Sequence, residues 1–195
     1  MSSDAVKTLD SMSKDMINSI AQETKQVLRK SGKKQLGQRE VETVVGQTLR
    51  GDLRKDTLAK LKAAVARHAE KKEEGGSQSV RAGLVYPVGR IHSYLKAERI
   101  GTSVKPAAAV AIAASVESVI NNVLVAADEK RAKGVKRITP HHIKLAIDDD
   151  RDLSRLLAGS TIAHGGVTPY IEPVLESKKR KSSGDGEPVA KKSRK

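Results

Sequence analysis

The adjacent pair His141-His142 is the first place where residue type and spacing invite a chemistry, either metal ligation or a proton relay. Neighbours on a helix point about 100° apart, and no cysteine or third histidine accompanies the pair. His68, His92 and His164 are scattered along the chain. No Walker-type glycine loop and no nucleophile elbow is present. Thr139 followed by Pro140 reads as a helix start, so a helix terminus accounts better for the two histidines. The sequence therefore predicts no enzyme, no metal site and no cofactor. With no cysteine, a disulfide scaffold and thiolate chemistry are excluded as well.

What remains is charge. The 195 residues carry 37 Lys and Arg against 23 Asp and Glu, a net +14. The excess is distributed: +5 over residues 1–80 (16 basic, 11 acidic), +3 over 81–176 (13 and 10) and +6 over 177–195 (8 and 2). Such a balance is the footprint of a polyanion binder. Tyr86, Tyr94 and Tyr170 are the only aromatic residues, too few to stack the bases of a single strand, so a duplex is the expected polyanion.

These cations must be held by helices. Val6, Leu9, Met12, Met16, Ile20, Val27 and Leu28 recur at helical spacing over Ala5–Lys30, with no Gly or Pro inside, and Gly32 stops that helix. A basic loop follows, then a short helix over Gln38–Leu49 with Val41, Val44, Val45 and Leu49 inward. Gly51-Asp52 reads as a stop followed by an N-cap, opening a helix over Leu53–Lys72 with Leu58, Leu61 and Val65 on one face. Glu70–Gln78 has linker composition. Beyond it come a turn-rich lead-in, a short helix near Val88–Ala97, a basic loop with Arg99 and Lys105, a long helix over Ala107–Lys130, a second basic loop over Gly134–Thr139 and a short helix over Pro140–Ile147. One more turn is expected over Leu153–Leu157, an extended stretch over Gly165–Leu175, and a disordered tail from Ser177. Ala107–Ala127 is apolar enough to imitate a membrane span, but Glu117, Asn121 and Asn122 favour a buried helix. Gly32-Lys33-Lys34-Gln35-Leu36-Gly37 repeats as Gly134-Val135-Lys136-Arg137-Ile138-Thr139, in each case between a long helix and a short one.

Short helix, loop, long helix, loop, short helix is the order of the histone fold, and the motifs identify the branch. Arg81-Ala82-Gly83-Leu84-Val85-Tyr86-Pro87-Val88-Gly89-Arg90-Ile91-His92, Arg137-Ile138-Thr139-Pro140-His141-His142-Ile143 and Gly165-Gly166-Val167-Thr168-Pro169-Tyr170-Ile171 together resemble histone 2A over about 95 residues. Met16–Glu23, Arg39-Glu40-Val41 and Gly51-Asp52-Leu53 resemble histone 2B more weakly, in the right order. The whole resembles the fused 2B–2A doublets of marseillevirus-type large DNA viruses, as a truncated variant in which Met1 aligns with the first loop of the 2B-type fold, whose first short helix is expected to be missing.

The resemblance implies an all-α chain with two histone folds in an intramolecular handshake. Residues 1–72 would be the 2B-like fold with its C-terminal helix, 73–80 a linker, 81–157 the 2A-like fold, 158–176 a docking segment and 177–195 a basic tail. It implies double-stranded DNA as ligand, histone 3- and histone 4-type partners, two copies per nucleosome-like particle, and location in virion, viral factory or nucleus. Phosphate contacts carry over to Lys33, Lys34, Arg90, Lys136 and Arg137, with Arg99 or Lys105 substituting where Ser103 replaces an expected Arg. The family's acidic patch maps to Asp52, Glu117, Asp150 and Asp152, with Asp148 and Asp149 added, while Asn122, Val125, Arg151 and Lys60 replace acids. Val167, Tyr170, Ile171, Val174 and Leu175 would dock on histone 3–4. Lys179, Arg180, Lys191, Lys192, Arg194 and Lys195 fit either a bipartite import signal or a DNA-binding tail. A gene-regulatory histone-fold subunit and a decoy capping host histones are the competing functions.

Overall fold

The computed structural model describes residues 1–71, 75–131, 134–157, 162–163 and 165–166. Among them eight helices and two short strands follow in the order α1 (Ser3–Ser31), β1 (Gln35–Leu36), α2 (Gln38–Thr48), α3 (Gly51–Glu70), α4 (Gln78–Ala82), α5 (Val88–Ala97), β2 (Ser103–Val104), α6 (Pro106–Glu129), α7 (Pro140–Asp149) and α8 (Arg151–Leu156).

Helix α6 is the axis of the molecule. Its sequence from Ala108 to Val123 is mostly Ala, Val and Ile with two serines, and side chains all round its circumference are buried. Small residues let neighbouring helices approach closely, and α3 makes the most extensive contact with it. The two buried hydroxyls are satisfied: Ser115 Oγ donates to the Ala111 carbonyl at 2.8 Å, and Ser118 Oγ lies 3.3 Å from Thr57 Oγ1. Almost three quarters of its most apolar window is covered by the rest of the fold. That is the packing of a core helix.

Helix α1 lies across the same core through Ala5, Leu9, Met12, Met16 and Ile20. Val6, read from the sequence as part of this stripe, is instead half exposed, because the stripe runs in phase with Ala5 and Val6 stands about 100° away. Ser2 caps α1 by accepting the Ala5 N–H at 3.2 Å, and Gly32, at φ +66, closes its other end in the left-handed conformation that glycine adopts without a Cβ penalty.

Asp52 does not cap α3 as expected. The helix begins two residues earlier than expected, at Gly51, whose φ is +58, with Arg50 at the cap position, and Asp52 pairs with Lys55 at 2.9 Å in full solvent. Within the expected linker, Ser77 caps α4 by accepting the Val80 N–H, so Gln78–Val80 are helical. The docking segment beyond Gly166 and the basic tail lie outside the described residues.

The two strands pair in parallel, Gln35 with Ser103 and Leu36 with Val104. This joins the loop after α1 to the loop before α6, two parts of the chain 68 residues apart. A backbone bond, Ser2 N–H to the Ile138 carbonyl at 2.9 Å, links the start of α1 to the loop before α7 in the same manner.

Leu61, fully buried where α3 meets α6, and Leu58, only partly covered, separate the two faces of α3. Leu61→Ala is expected to cost about 2–5 kcal/mol in urea unfolding, and Leu58→Ala distinctly less. Equal costs would place α3 in a different rotation.

Candidate functional site

Pairing of β1 with β2 gathers basic residues from opposite halves of the chain. The Lys34 carbonyl accepts the Thr102 N–H at 2.8 Å, and the Leu36 carbonyl accepts the Lys105 N–H at 3.0 Å. Lys33, Lys34, Arg39 and Lys105 consequently rim one concavity of about 680 Å³. Gly37 and Gln38, which open α2, and Ala107, in the first turn of α6, line it as well. Two helix N-termini with their outward N–H groups and four cations thus face one space, which suits an anion. A second concavity of about 610 Å³ adjoins β2, lined by Lys96, Arg99 and Gly101–Val104. Arg99 holds φ +49, unusual for a residue with a side chain.

Lys33 has a partner inside the protein. Its ammonium donates to Glu40 Oε1 at 2.7 Å, while Glu40 Oε2 accepts the Gly37 N–H at 3.1 Å and so closes the first turn of α2. Burial pushes the Glu40 carboxyl up, but the Lys33 bond and the backbone N–H groups outweigh it, leaving the carboxyl below its ordinary value of 4.5. Arg39 and Lys96 were not singled out from the sequence. The signal for Arg39 was present, since it sits beside the glutamate of that capping turn.

At the other end, Lys136 and Arg137 are exposed on the loop before α7. That loop is braced by Arg131, which donates to the Val135 carbonyl at 3.1 Å and pairs with Asp128 at 2.6 Å. Thr139 caps α7, with its N–H donating to His142 Nδ1 at 3.1 Å. His141 Nδ1 meets the Gly165 carbonyl at 2.9 Å and His92 Nε2 the Val104 carbonyl at 3.1 Å. These three histidines therefore hold backbone. Among the described residues His68 Nε2 is buried without a hydrogen-bond partner, and burial, helped by the nearby Arg81 charge, keeps its pKa below the ordinary 6.5. Across α6, 24 residues long, the two basic ends are separated by about 36 Å. Arg90 joins neither; it is exposed on α5 at a cleft with Asp10, Lys14, Tyr86 and Tyr94.

The six acidic positions do not form a free field. Glu117 Oε2 accepts the Val85 and Tyr86 N–H groups at 2.9 and 3.1 Å, fixing the entry to α5. Asp150 caps α8 by accepting the Asp152 and Leu153 N–H groups at 2.8 and 3.2 Å. Asp149 pairs with Lys130 at 2.6 Å, Asp148 with Lys144 at 3.4 Å and Asp52 with Lys55. Asp152 lies against Gly51, so the starts of α3 and α8 meet.

A family model described as the C-terminus of histone 2A matches residues 151–185, beginning at α8. A probable histone 2A of Oryza sativa subsp. indica is 47% identical over 115 residues, which is 58% of this chain and 74% of the rice protein. A histone 2A of Euphorbia esula is 46% identical over 127 residues, 64% of this chain and 83% of the spurge protein. The chain belongs to the histone 2A family. A histone 2A of Zea mays, 48% identical over 118 residues, covers 59% of the chain and 74% of the maize protein. This member of the histone 2A family is accordingly a structural protein of DNA packaging and chromatin rather than an enzyme. DNA and other histones are its partners. Within the family-matched segment, Leu153 and Leu157 are buried and Gly165 is tied to α7 through His141. Val167, Tyr170, Ile171, Val174, Leu175 and the terminal cations Lys179, Arg180, Lys191, Lys192, Arg194 and Lys195 lie outside the described residues.

Because the Glu40 carboxyl is held below its ordinary value, its contribution is intact above about pH 4.5 and fades as the pH falls through the lowered value. Glu40→Gln is expected to lose about 1–2 kcal/mol at pH 7, tempered by the half-exposed Lys33, and to flatten the acid limb of the stability curve. Urea unfolding at pH 7 and pH 4 measures both; an unchanged acid limb would remove Glu40 from this role.

Proposed function

We propose that this chain of the histone 2A family is a fused doublet, residues 1–72 forming a 2B-like fold and 81–157 a 2A-like fold. It joins histone 3- and histone 4-type proteins, two copies per particle, and packages double-stranded DNA without reading its sequence. The observation that carries this reading is the parallel β1–β2 pair, which sets Lys33, Lys34, Arg39 and Lys105 around the N-termini of α2 and α6. The repeated order of a long helix, a basic loop and a short helix in α1–α2 and α6–α7 supports it. So does the alignment with the rice relative, which leaves about two-fifths of the chain outside the match. Fusion replaces a bimolecular pairing by an intramolecular one and sets the stoichiometry at one to one. The order 2B then 2A favours an origin among marseillevirus-type doublets, with the protein in virion and viral factory and the tail serving import or linker DNA.

In this reading Lys34, Arg39, Arg99 and Lys105 meet phosphates at one end and Lys136 and Arg137 at the other, with Arg90 contributing from α5. Lys33 spends much of its charge on Glu40. Five of the six acidic residues are engaged by backbone N–H groups or lysines, and Arg151 and Lys60 add cations among them, so peptides that anchor an arginine in the family's acidic patch should bind weakly. Docking through Val167, Tyr170, Ile171, Val174 and Leu175 completes the assembly.

Nuclease digestion after co-assembly with histone 3–4-type partners on mixed-sequence DNA tests the function. A discrete protected length, at or below the roughly 147 base pairs of ordinary nucleosomes, is expected. Partner binding without a discrete fragment would favour a histone-capping decoy, and protection of chosen sequences alone a regulatory subunit. In salt titrations of duplex binding, Lys34→Ala and Arg39→Ala should each reduce the slope by about 0.9, and Lys33→Ala by less than half of that. A full-sized drop for Lys33→Ala would show that the Glu40 pair opens on DNA.

A further inference from the structure

Thr102 and Ser103 place two exposed hydroxyls in the basic loop end, where cations otherwise dominate. Arg99 stands three residues before Thr102. Many protein kinases select their acceptor through charge, an acidic pocket taking an arginine at that spacing. Four hydroxyls among the described residues have an arginine three places before them: Thr57, Ser93, Thr102 and Ser154. Thr57 is fully buried, and Ser93 and Ser154 lie within α5 and α8, where helical backbone cannot be drawn out into a kinase cleft. Thr102 alone of the four sits in an exposed turn, directly before the extended residues of β2. Its side-chain hydroxyl has no hydrogen-bond partner among the described residues, and only its backbone N–H is engaged, by the Lys34 carbonyl.

We propose that Thr102 is the acceptor of a regulatory phosphoryl group placed by an arginine-directed protein kinase, and that the modification loosens DNA at this loop end. The second half of the proposal rests on the packaging function above. In the transfer, Thr102 Oγ1 bonds to the γ-phosphorus of ATP while the bond from that phosphorus to the β,γ-bridging oxygen breaks. The hydroxyl proton passes to the kinase's carboxylate base, and ADP leaves. The product carries about −1.5 to −2 charge near neutral pH. It would share the concavity of Lys96 and Arg99, so the new anion meets cations of its own chain and takes them from DNA. Ser103 differs: it follows Arg99 by four residues, and its Oγ already lies 3.4 Å from Gln35 Nε2.

The test uses the full chain, ATP and the purified catalytic subunit of an arginine-directed serine/threonine kinase, with phosphopeptide mapping. Phosphate on Thr102 is expected, lost in T102A, kept in S103A and slowed about tenfold or more in R99Q. A Thr102 left unmodified under conditions that phosphorylate a control peptide overturns the assignment. Duplex binding is then titrated with salt for treated wild type beside treated T102A, so that modification elsewhere cancels. A slope smaller by about 1.5–2 in the wild type is expected, and equal slopes overturn the regulatory role. If the untreated chain binds no duplex, the packaging function fails, and the acceptor assignment is still decided by the mapping.

Discussion

Helix α6 has little polar side to give to water along most of its length, and the rest of the fold is arranged around that fact. Between Ala108 and Val123 even the two serines are buried, each with an oxygen partner. A helix of this kind must be covered on nearly every side, and its own neighbours α5 and α7 cover only part of it. The remainder is supplied by α1, α2 and α3 from the first part of the chain. The mutual burial of α3 and α6, with alanine on both surfaces at Ala64 and along α6, binds the two halves into one core.

Crossing of the long helices fixes where their ends fall. Because α1 and α6 run past one another, the loop after α1 arrives beside the loop before α6, and two residues of each complete a parallel ladder. A parallel pair this short has little strength of its own; it holds because helices on both sides define its position. The consequence is electrostatic. Cations far apart in sequence, Lys33 and Lys34 on one side and Arg99 and Lys105 on the other, come to one end, together with the positive ends of two helix dipoles. That charge and those N–H groups suit an anion such as phosphate, and among the described residues this end holds no array of side chains suited to reading bases.

The acidic residues follow another logic. Glu117, Asp150 and Glu40 each accept backbone N–H groups at a helix or loop start. Asp52, Asp148 and Asp149 are neutralised by lysines on the same or another helix. A carboxylate already accepting two N–H bonds is a poor anchor for an external arginine, since the incoming guanidinium must compete with bonds the fold needs.

Much of this was legible from residue order. The helix over Val88–Ala97, the helix start at Pro140, the buried character of α6, the inward face of α2 and the stop at Gly32 follow from local periodicity and capping, which depend on residues a few places apart. The family resemblance was carried by short motifs for the same reason. What sequence order left open is contact between distant residues. Val6 and Ala5 are both apolar, and only the packing of α1 on the core decided which of them is buried. Asp52 has the chemistry of a cap, yet α3 begins ahead of it at Gly51, beside which Asp152 of α8 lies. Lys33 and Lys34 are chemically alike, and only the position of Glu40 in the folded loop decided that Lys33 is the one paired with it. Periodicity reports which groups a segment can bury or expose, but the partner of a charge is set by the crossing of helices, which only the tertiary structure contains.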